Sequence, residues 1–263
     1  MNVAYQGEPG AFSEDAARKL IPGAKTRGYG TFDEVFYAAL AGETEAALMP
    51  VENSISGAVP RVYDLLFAEP RARIVAETVY RVEQNLIGLP AADLRSLREV
   101  RSHPVALEQC RAFFARHPHA RPHVVADTAG AVREIVALDD PGVAAIGSAL
   151  AAERYGAEIL ERGIQDVHDN FTRFFLIRAD ATPPPLPTRA CVALVLPHRP
   201  GSLRDALSTF AERGLNLRTL VSRPALDAPF TYRFYVEIEQ ADAARLSAAL
   251  GEIEGEARIL GTY

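Results

Sequence analysis

Short apolar runs alternate with stretches of helical periodicity along most of the chain. Apolar runs that predict strands lie at residues 2–6, 45–51, 74–80, 84–89, 123–126, 142–147 and 173–179. Apolar residues at helical spacing predict helices at 12–20, 32–41, 57–67, 104–116, 128–138 and 148–155. Strands that alternate with helices are typical of an α/β fold with largely parallel sheets. Because residues 1–180 are many for a single sheet unit, we predict that they form two lobes.

A proline-rich segment at residues 181–188, with the sequence ATPPPLPT, ends this pattern. Its four prolines predict a stiff, extended linker. Beyond it the pattern predicts strands at 190–196, 215–222, 230–239 and 256–260, and helices from Gly201 to about Arg213 and at 242–250. This βαββαβ order predicts a ferredoxin-like module at the C-terminal end of the chain.

Composition and charge narrow the possible classes of protein. Hydrophobic residues make up 48% of the 263 residues, which predicts a packed globular core. The net charge of −6 argues against general nucleic-acid binding, which depends on basic surfaces. Cys110 and Cys191 fall in different predicted units, so we expect no disulfide and a reducing compartment. With no signal core and no apolar run long enough for a bilayer, we predict a cytoplasmic protein without a membrane partner.

The most informative polar segment is NFTRFF, residues 170–175, where a loop enters an apolar strand. We expect this position to hold the side chains of Thr172 and Arg173 at a strand edge, pointing into a cleft. The guanidinium of Arg173 is a fork of donors that suits a carboxylate. The hydroxyl of Thr172 can donate a hydrogen bond to a leaving oxygen. Together they predict a small carboxylated substrate and chemistry at oxygen.

Other polar clusters follow predicted strands or begin predicted helices. Gly7 and its neighbours let the backbone approach a ligand at a helix N-terminus, although a simple turn with a helix cap explains the same residues. Glu52, Asn53 and Ser54 offer a carboxylate, an amide and a hydroxyl at one strand end, or alternatively form a capping turn. Thr128 begins a helix that is able to receive an anion.

The polar clusters, in this order, resemble the prephenate dehydratase family. The blocks that carry the resemblance are PVENSISGAV, SHPVALEQC, DTAGAV, AAIGSALAAERYG and GIQDVHDNFTRFFLI, and they span nearly the whole first part of the chain. The later blocks PHRPGSLRDAL and VSRP resemble an ACT domain. The family implies a two-lobed catalytic domain at 1–180, similar to periplasmic binding proteins, then a linker at 181–188 and an ACT domain at 189–263. Lobe one would hold 1–80 and 162–180, lobe two would hold 81–161, and the substrate would lie between them.

The resemblance also implies a reaction and a set of site residues. The reaction converts prephenate to phenylpyruvate with loss of water and carbon dioxide, in L-phenylalanine biosynthesis, and no metal or organic cofactor is expected. The threonine of the family's Thr-Arg-Phe motif, here Thr172, would be the catalytic residue, and we hypothesise that Glu52 assists it. The predicted catalytic residues are Thr172, Arg173 and Glu52, and the predicted substrate-binding residues are Asn53, Ser54, Gly7, Ser102, Gln109, Thr128, Asn170 and Phe174.

An ACT domain implies feedback control by L-phenylalanine and a homodimer or homotetramer. The predicted effector-binding residues are Gly201, Ser202, Leu203, Ser222, Arg223 and Pro224. Val221 replaces a glutamate that the family commonly has, which bears on the strength of phenylalanine binding. Two other readings stay open: an arogenate dehydratase or an enzyme for both substrates, and a non-catalytic binding protein whose lobes clamp a ligand.

Overall fold

A computed structural model describes residues 1–184, 187–225, 231–239 and 242–263. The fold is mixed α/β with two sheets, which confirms the predicted class. The first part of the chain forms β1 (Asn2–Gln6), α1 (Phe12–Leu20), β2 (Lys25–Tyr29), α2 (Phe32–Leu40), β3 (Ala46–Asn53), β4 (Gly57–Ala58), α3 (Pro60–Ala68) and β5 (Ala72–Arg81). The middle part forms β6 (Asn85–Gly88), β7 (Glu99–Ser102), α4 (Pro104–Glu108), α5 (Arg111–Arg116), β8 (Arg121–Val124), α6 (Thr128–Leu138), β9 (Val143–Gly147), α7 (Ala149–Tyr155) and β10 (Glu158–Glu161). The last part forms β11 (Phe171–Ala179), β12 (Arg189–Val195), α8 (Ser202–Glu212), β13 (Asn216–Pro224), β14 (Tyr232–Glu239), α9 (Ala243–Glu252) and β15 (Glu256–Thr262).

The strands of the described residues form two sheets, and the larger one contains strands from both the first part and the last part of the chain. The larger sheet has the strand order β13-β14-β12-β15-β5-β11-β3-β1-β2, with β4 paired to β3. The smaller sheet has the order β10-β6-β9-β7-β8. The expectation of largely parallel sheets is wrong, because β11 returns from the smaller sheet and runs antiparallel to both β3 and β5. Within the smaller sheet β6 is likewise antiparallel to β9 and β10.

Local sequence signals explain several of the helix starts. Thr31 and Glu34 form a capping box at the start of α2, and Asp127 caps α6 by accepting a hydrogen bond from the Gly130 amide. The single helix predicted at 104–116 is wrong, since the chain breaks it into α4 and α5. The Asp166 carboxylate accepts hydrogen bonds from the Arg111 and Ala112 amides at 3.0 and 2.9 Å, so a distant residue starts a second helix there.

The strands that the pattern missed are β2, β4, β7 and β10. The sequence of β2, KTRGY, contains no apolar run, and the strand is specified by its parallel pairing with β1. Such strands depend on the neighbouring strand rather than on their own composition. No helix among the described residues is long and apolar enough to cross a bilayer. Cys110 and Cys191 are both buried and unpaired, as expected.

The C-terminal βαββαβ segment continues the larger sheet instead of standing apart behind its proline-rich linker. Strand β15 runs parallel to β5, with Gly261 opposite Ile74. A Cβ atom on Gly261 would lie 2.4 Å from the Ile74 carbonyl oxygen, so only glycine permits this approach. Apolar residues from both sides, including Phe175 of β11 and Tyr235 of β14, share one buried cluster. The sequence pattern did not predict this junction.

The two sheets also meet along a packed seam beside the β1–α1 loop. Ser148 donates a hydrogen bond to the Gly10 carbonyl at 2.5 Å, and Tyr155 donates to the Pro9 carbonyl at 2.8 Å. A buried carboxylate, that of Glu14, accepts hydrogen bonds from the Gly10 amide at 2.6 Å and from Arg154 of α7 at 3.3 Å. The seam holds the β1–α1 loop against helix α7.

Candidate active site

Thr172 and Arg173 are neighbours on β11, but their side chains lie on opposite faces of the larger sheet. The expectation that both point into one cleft is therefore wrong, because successive side chains of a strand alternate between faces. Thr172 stands opposite Asn53 of β3, and Arg173 stands opposite Glu52. The guanidinium of Arg173 lies over the ring of Phe175, which marks the face that packs against the C-terminal strands.

The amide of Asn53 has a single orientation that its neighbours determine. Its Oδ1 accepts hydrogen bonds from the backbone amides of Ile55 and Ser56, both at 3.0 Å. Because backbone N–H groups can only donate, Nδ2 must face the opposite way. There it donates to the hydroxyl oxygen of Thr172 at 3.1 Å and to Oδ1 of Asn170 at 2.7 Å. Thr172 therefore accepts a hydrogen bond, and its own hydroxyl hydrogen has no partner among the described residues.

A chain of amide side chains continues from Asn53 to the smaller sheet. Nδ2 of Asn170 donates to Oε1 of Gln109 at 3.1 Å, and Nε2 of Gln84 donates to the same oxygen at 3.2 Å. Oε1 of Gln109 is thus saturated, and its Nε2 has no partner in the described part of the chain. The chain begins on β3 and β11 and ends beside α4. The sequence placed Asn53, Asn170 and Gln109 at the site, and the structure brings all three together.

Sequence reasoning missed Gln84 and Gln165, which support this chain of amides. Gln165 accepts a hydrogen bond from the Gln84 backbone amide at 2.9 Å, and both residues are buried. Oε1 of Gln84 is buried and has no hydrogen-bond partner among the described residues. The signal available in the sequence was weak, since each is a single glutamine in a short polar stretch beside an apolar one.

Arg173 is buried and surrounded by carboxylates, on the face away from Thr172. It contacts Glu237 of β14 through both terminal nitrogens at 2.6 and 2.8 Å, Glu52 at 3.0 and 3.1 Å, and Glu77 of β5 at 3.3 Å. Burial alone would lower the pKa of Arg173, but the hydrogen bonds and charge of Glu237 outweigh burial and raise it. All three nitrogens are engaged, so the predicted contact with a substrate carboxylate is not available in this arrangement.

Glu52 shares the face of Arg173, and it makes no contact with Thr172. Its carboxylate is 43% exposed and bonds to the Arg173 guanidinium. The hypothesis that Glu52 assists Thr172 therefore has no geometric support, because the sheet lies between the two side chains. Asn53, one residue further along β3, occupies the position beside the Thr172 hydroxyl.

Three other predicted substrate-binding residues bond to the protein backbone or pack in its core. The Ser54 hydroxyl donates to the Asp169 carbonyl at 3.1 Å and accepts from the Phe171 amide at 2.9 Å, which fastens the loop that enters β11. The Ser102 hydroxyl is fully buried and donates to the Ile146 carbonyl at 2.8 Å. The Phe174 ring is 2% exposed and belongs to an apolar cluster. None of the three presents a polar group to a cavity.

Two of the cavities lie beside predicted site residues in the first part of the chain. One, of about 340 Å³, is lined by the β1–α1 loop, Gly28–Gly30 and Asp127. Gly7 lies in its wall with φ at +120°, but its amide donates to the Tyr29 carbonyl at 2.9 Å and is not free for an anion. Thr128 follows Asp127 as the first residue of α6.

The second cavity, of about 360 Å³, adjoins the end of the amide chain. Gln109 lines it, together with Ser56, Arg111 and the apolar side chains of Val105 and Val167. Its charged lining is the guanidinium of Arg111, which is paired with Glu108 at 3.1 Å, and the carboxylates of Glu108 and Asp166; the rest of the wall is largely apolar. No cluster of His, Cys, Asp or Glu side chains that could hold a metal ion occurs among the described residues.

The predicted effector residues fall at two separate places in the C-terminal segment. A cavity of about 370 Å³ is lined by Gly201, Ser202 and Leu203, with Arg204 and Tyr232 nearby. The remaining three predicted residues, Ser222, Arg223 and Pro224, end strand β13 and do not line that cavity. Arg223 instead forms a hydrogen bond with Asp64 of α3 at 2.7 Å.

Comparisons with known proteins agree with this architecture. A family model described as prephenate dehydratase matches residues 3–182. Arogenate dehydratase 3, chloroplastic, from Arabidopsis thaliana is 37% identical, over 100% of this chain and 67% of its own length. A bifunctional N-acyl-homoserine lactone acylase/prephenate dehydratase from Komagataeibacter europaeus is 36% identical, over 99% of this chain and 95% of its own. The crystal structure of prephenate dehydratase in complex with L-Phe from Arthrobacter aurescens superimposes with a TM-score of 0.90 at 29% identity, covering 100% of this chain and 89% of the other.

Proposed function

The chain belongs to the prephenate dehydratase family, and from that premise we propose that it converts prephenate to phenylpyruvate in L-phenylalanine biosynthesis. The family and its named relatives make it a dehydratase, a carbon–oxygen lyase of aromatic amino-acid biosynthesis. The observation that carries the finer proposal is the hydroxyl of Thr172. It accepts a hydrogen bond from an amide of determined orientation, and its own hydrogen remains to be donated.

The reaction needs a donor at the oxygen that leaves the ring. Loss of carbon dioxide delivers the electron pair of the broken carbon–carbon bond to the ring. The ring becomes aromatic as the carbon–oxygen bond breaks, and the hydroxide departs as water once it gains a proton. Thr172 is the donor to this oxygen, and the Asn53 Nδ2 hydrogen bond stabilises the negative charge that develops on the Thr172 oxygen as its hydrogen is shared.

The carboxylates of prephenate require donors other than Arg173. We place this role in the cavity beside Gln109, which the Gln109 amide lines; the exposed guanidinium of Arg111, paired with Glu108 at 3.1 Å in this structure, would turn from Glu108 to the substrate carboxylate. Its apolar residues Ile55, Val105 and Val167 favour a carboxylate that loses its charge as carbon dioxide departs. We assign Arg173 and Glu52 to the support of β11 and β3 rather than to direct contact with substrate.

The division into domains and the control by L-phenylalanine belong to the same proposal. We assign 1–180 to a catalytic domain and 189–263 to an ACT domain, which the βαββαβ order and the strand order of the C-terminal segment support. The cavity at Gly201–Leu203 would receive L-phenylalanine. The Arthrobacter aurescens relative was solved in complex with L-Phe, which supports an effector of this kind. A homodimer or homotetramer and a cytoplasmic location complete the proposal, the latter supported by two unpaired cysteines.

Arogenate is the second candidate substrate, because relatives such as the Arabidopsis thaliana enzyme are named for it. Arogenate carries an amine where prephenate has a ketone, so the two differ only at the side chain. The test is parallel turnover of both by purified protein, read as phenylpyruvate from prephenate and phenylalanine from arogenate. A higher kcat/KM for prephenate is the expected result. A higher value for arogenate would move the assignment to the sister reaction, and no turnover of either would favour the binding-protein reading.

A further inference from the structure

A balanced cluster of charges, with a buried ion pair at its centre and partly exposed members around it, joins β11 to the C-terminal segment. Arg173 forms a two-point ion pair with Glu237 of β14, at 2.6 and 2.8 Å. On the other side of the junction, Glu77 of β5 contacts Arg218 at 2.9 Å and also contacts Arg189. With Glu52, the cluster contains three arginines and three glutamates, drawn from six strands.

The pair between Arg173 and Glu237 is the most buried part of this cluster. Their side chains are 5% and 3% exposed. Tyr63 adds a hydrogen bond to Oε1 of Glu237 at 2.8 Å, so that carboxylate has directional donors from two residues. Removal of one member of such a pair leaves a buried charge without its partner, and the remaining side chain must move or find another ion. For Arg173 the remaining partners are Glu52 and Glu77, which pull it toward other strands.

Arg173 is in a position to transmit such a movement to Thr172. The two residues are adjacent on β11, and the pairing of β11 with β3 shifts register between Arg173 and Phe174. Register irregularities of this kind aim the neighbouring side chains, and they occur beside active sites. A guanidinium held from the far side of the sheet therefore helps to define the backbone position from which the Thr172 hydroxyl meets Asn53.

We propose that Glu237 is a positioning residue for the dehydratase site, which acts through Arg173 on the placement of Thr172. The inference rests on the proposed function. In this proposal the C-terminal segment supports β11 through Glu237. A rearrangement of that segment would therefore change the position of Thr172 directly. The same pair thereby couples the strand that bears Thr172 to the segment for which effector binding is proposed.

The test compares Glu237→Gln with Glu239→Gln in the full-length protein. Glu239 lies two residues further along β14 and bonds to Asn216 at 3.2 Å, so it controls for loss of a carboxylate on the same strand. We expect Glu237→Gln to lower kcat by about 10-fold to 100-fold, since small misplacements of a reacting group have effects of this order, with KM changed less than about threefold. Glu239→Gln should stay within about twofold of the wild type in both constants.

A second pair of variants asks whether the effect passes through Arg173. In an Arg173→Gln background the further change Glu237→Gln should leave kcat unaltered, because the partner is already gone. A wild-type kcat in Glu237→Gln, or an equal further loss in the Arg173→Gln background, would overturn the proposal. If Glu237→Gln does not fold, Glu237→Asp replaces it. Asp keeps the charge on a shorter side chain and should lower kcat in the same direction, and an unchanged kcat would again contradict the inference.

Hydrogen–deuterium exchange separates this inference from the proposed function. We expect peptides that cover residues 170–177 to exchange faster in Glu237→Gln than in the wild type or in Glu239→Gln. If the wild type turns over neither prephenate nor arogenate, the proposed function fails and the exchange result alone decides the coupling. Equal exchange in all three proteins would then show that Glu237 does not hold β11.

Discussion

The two faces of strand β11 differ in charge although their key residues are neighbours in sequence. On the face of Thr172, the side chains of Asn53, Asn170 and Gln109 form an uncharged network of amides. On the face of Arg173, the contacts are ion pairs with buried and half-buried carboxylates. Oriented neutral donors can respond to a charge that develops at a reacting oxygen. A closed set of ion pairs has no donor left for a ligand, and it supports the strand instead.

The difference shows that a motif read as one functional unit can serve two tasks. The tripeptide Thr-Arg-Phe resembles a single catalytic signature, yet only Thr172 faces the amide network. Arg173 anchors the strand to β14, and Phe174 packs in the core. The period of two along an extended strand places Thr172 and Arg173 on opposite faces, and it places Phe174 on the same face as Thr172.

The largest effect on kcat should come from a substitution on the uncharged face of β11, the face of Thr172. Thr172→Ala removes the donor to the leaving oxygen, and we expect kcat to fall by about 10³-fold with KM changed much less. The check is steady-state kinetics with prephenate as substrate. Thr172→Ser retains a hydroxyl and is the matched control, for which we expect most of the kcat to remain. An alanine variant with wild-type kcat would remove Thr172 from the mechanism.

On the charged face we expect a loss of stability in addition to the smaller loss of kcat that passes through Arg173 to Thr172. Arg173→Met leaves the buried Glu237 carboxylate without its counter-ion, which should lower the free energy of unfolding by about 3 kcal/mol. Urea denaturation followed by circular dichroism measures this change. Arg178→Met, at an exposed position of the same strand, is the control and should change the free energy of unfolding by less than about 0.5 kcal/mol. Equal effects of the two substitutions would show that the ion pairs contribute nothing particular.

A smaller effect, on the free energy of unfolding in acid, should come from Glu14. Its carboxylate is also buried and paired, but it lies at the seam between the two sheets. Burial by itself would raise the pKa of Glu14, but hydrogen bonds from the Gly10 amide and Thr26, with the charges of Arg154 and Arg18, hold it below its ordinary value of 4.5. A carboxylate whose pKa is lower in the folded state contributes stability above pH 4.5, and this contribution is lost as the pH falls through the folded value.

Glu14→Gln should therefore weaken the dependence of the unfolding free energy on pH in acid. Urea denaturation of both proteins between pH 3 and pH 7 measures it. The wild type should lose more stability than the variant across the acid part of that range. Parallel curves for the two proteins would mean that Glu14 has the same pKa in the folded and unfolded states.

Much of the fold was predictable from periodicity, and part of the site from local chemistry. Strand β1 and helices α1 and α6 were predicted with their observed bounds, because each combines a clear apolar period with a turn or cap. Asn53 and Asn170 stand in polar clusters beside predicted strands, and Gln109 was identified only through the block SHPVALEQC that resembles the family. Their mutual hydrogen bonds were not predictable, since they depend on how β3, β11 and α4 pack.

What the sequence could not show are contacts between distant residues. Glu237 lies 64 positions from Arg173, in a strand whose pattern identifies only its alternation. The approach of Gly261 to Ile74, which joins the C-terminal strands to the larger sheet, likewise has no local signal beyond a glycine in a strand. The proline-rich linker indicated separation of the two parts, and the packing of the strands overrode it.

A comparison of kcat between the variants Asn53→Asp and Glu52→Gln tests most directly the contrast between the face of Thr172 and the face of Arg173. Asn53→Asp keeps the oxygen that accepts from Ile55 and Ser56 but loses the donor to Thr172. We predict that it lowers kcat for prephenate by about 10²-fold, the order found when a single oriented donor is removed from a reacting oxygen. Glu52→Gln, one residue away on the opposite face, should stay within about threefold of the wild type. A loss in Glu52→Gln as large as that in Asn53→Asp would contradict the account.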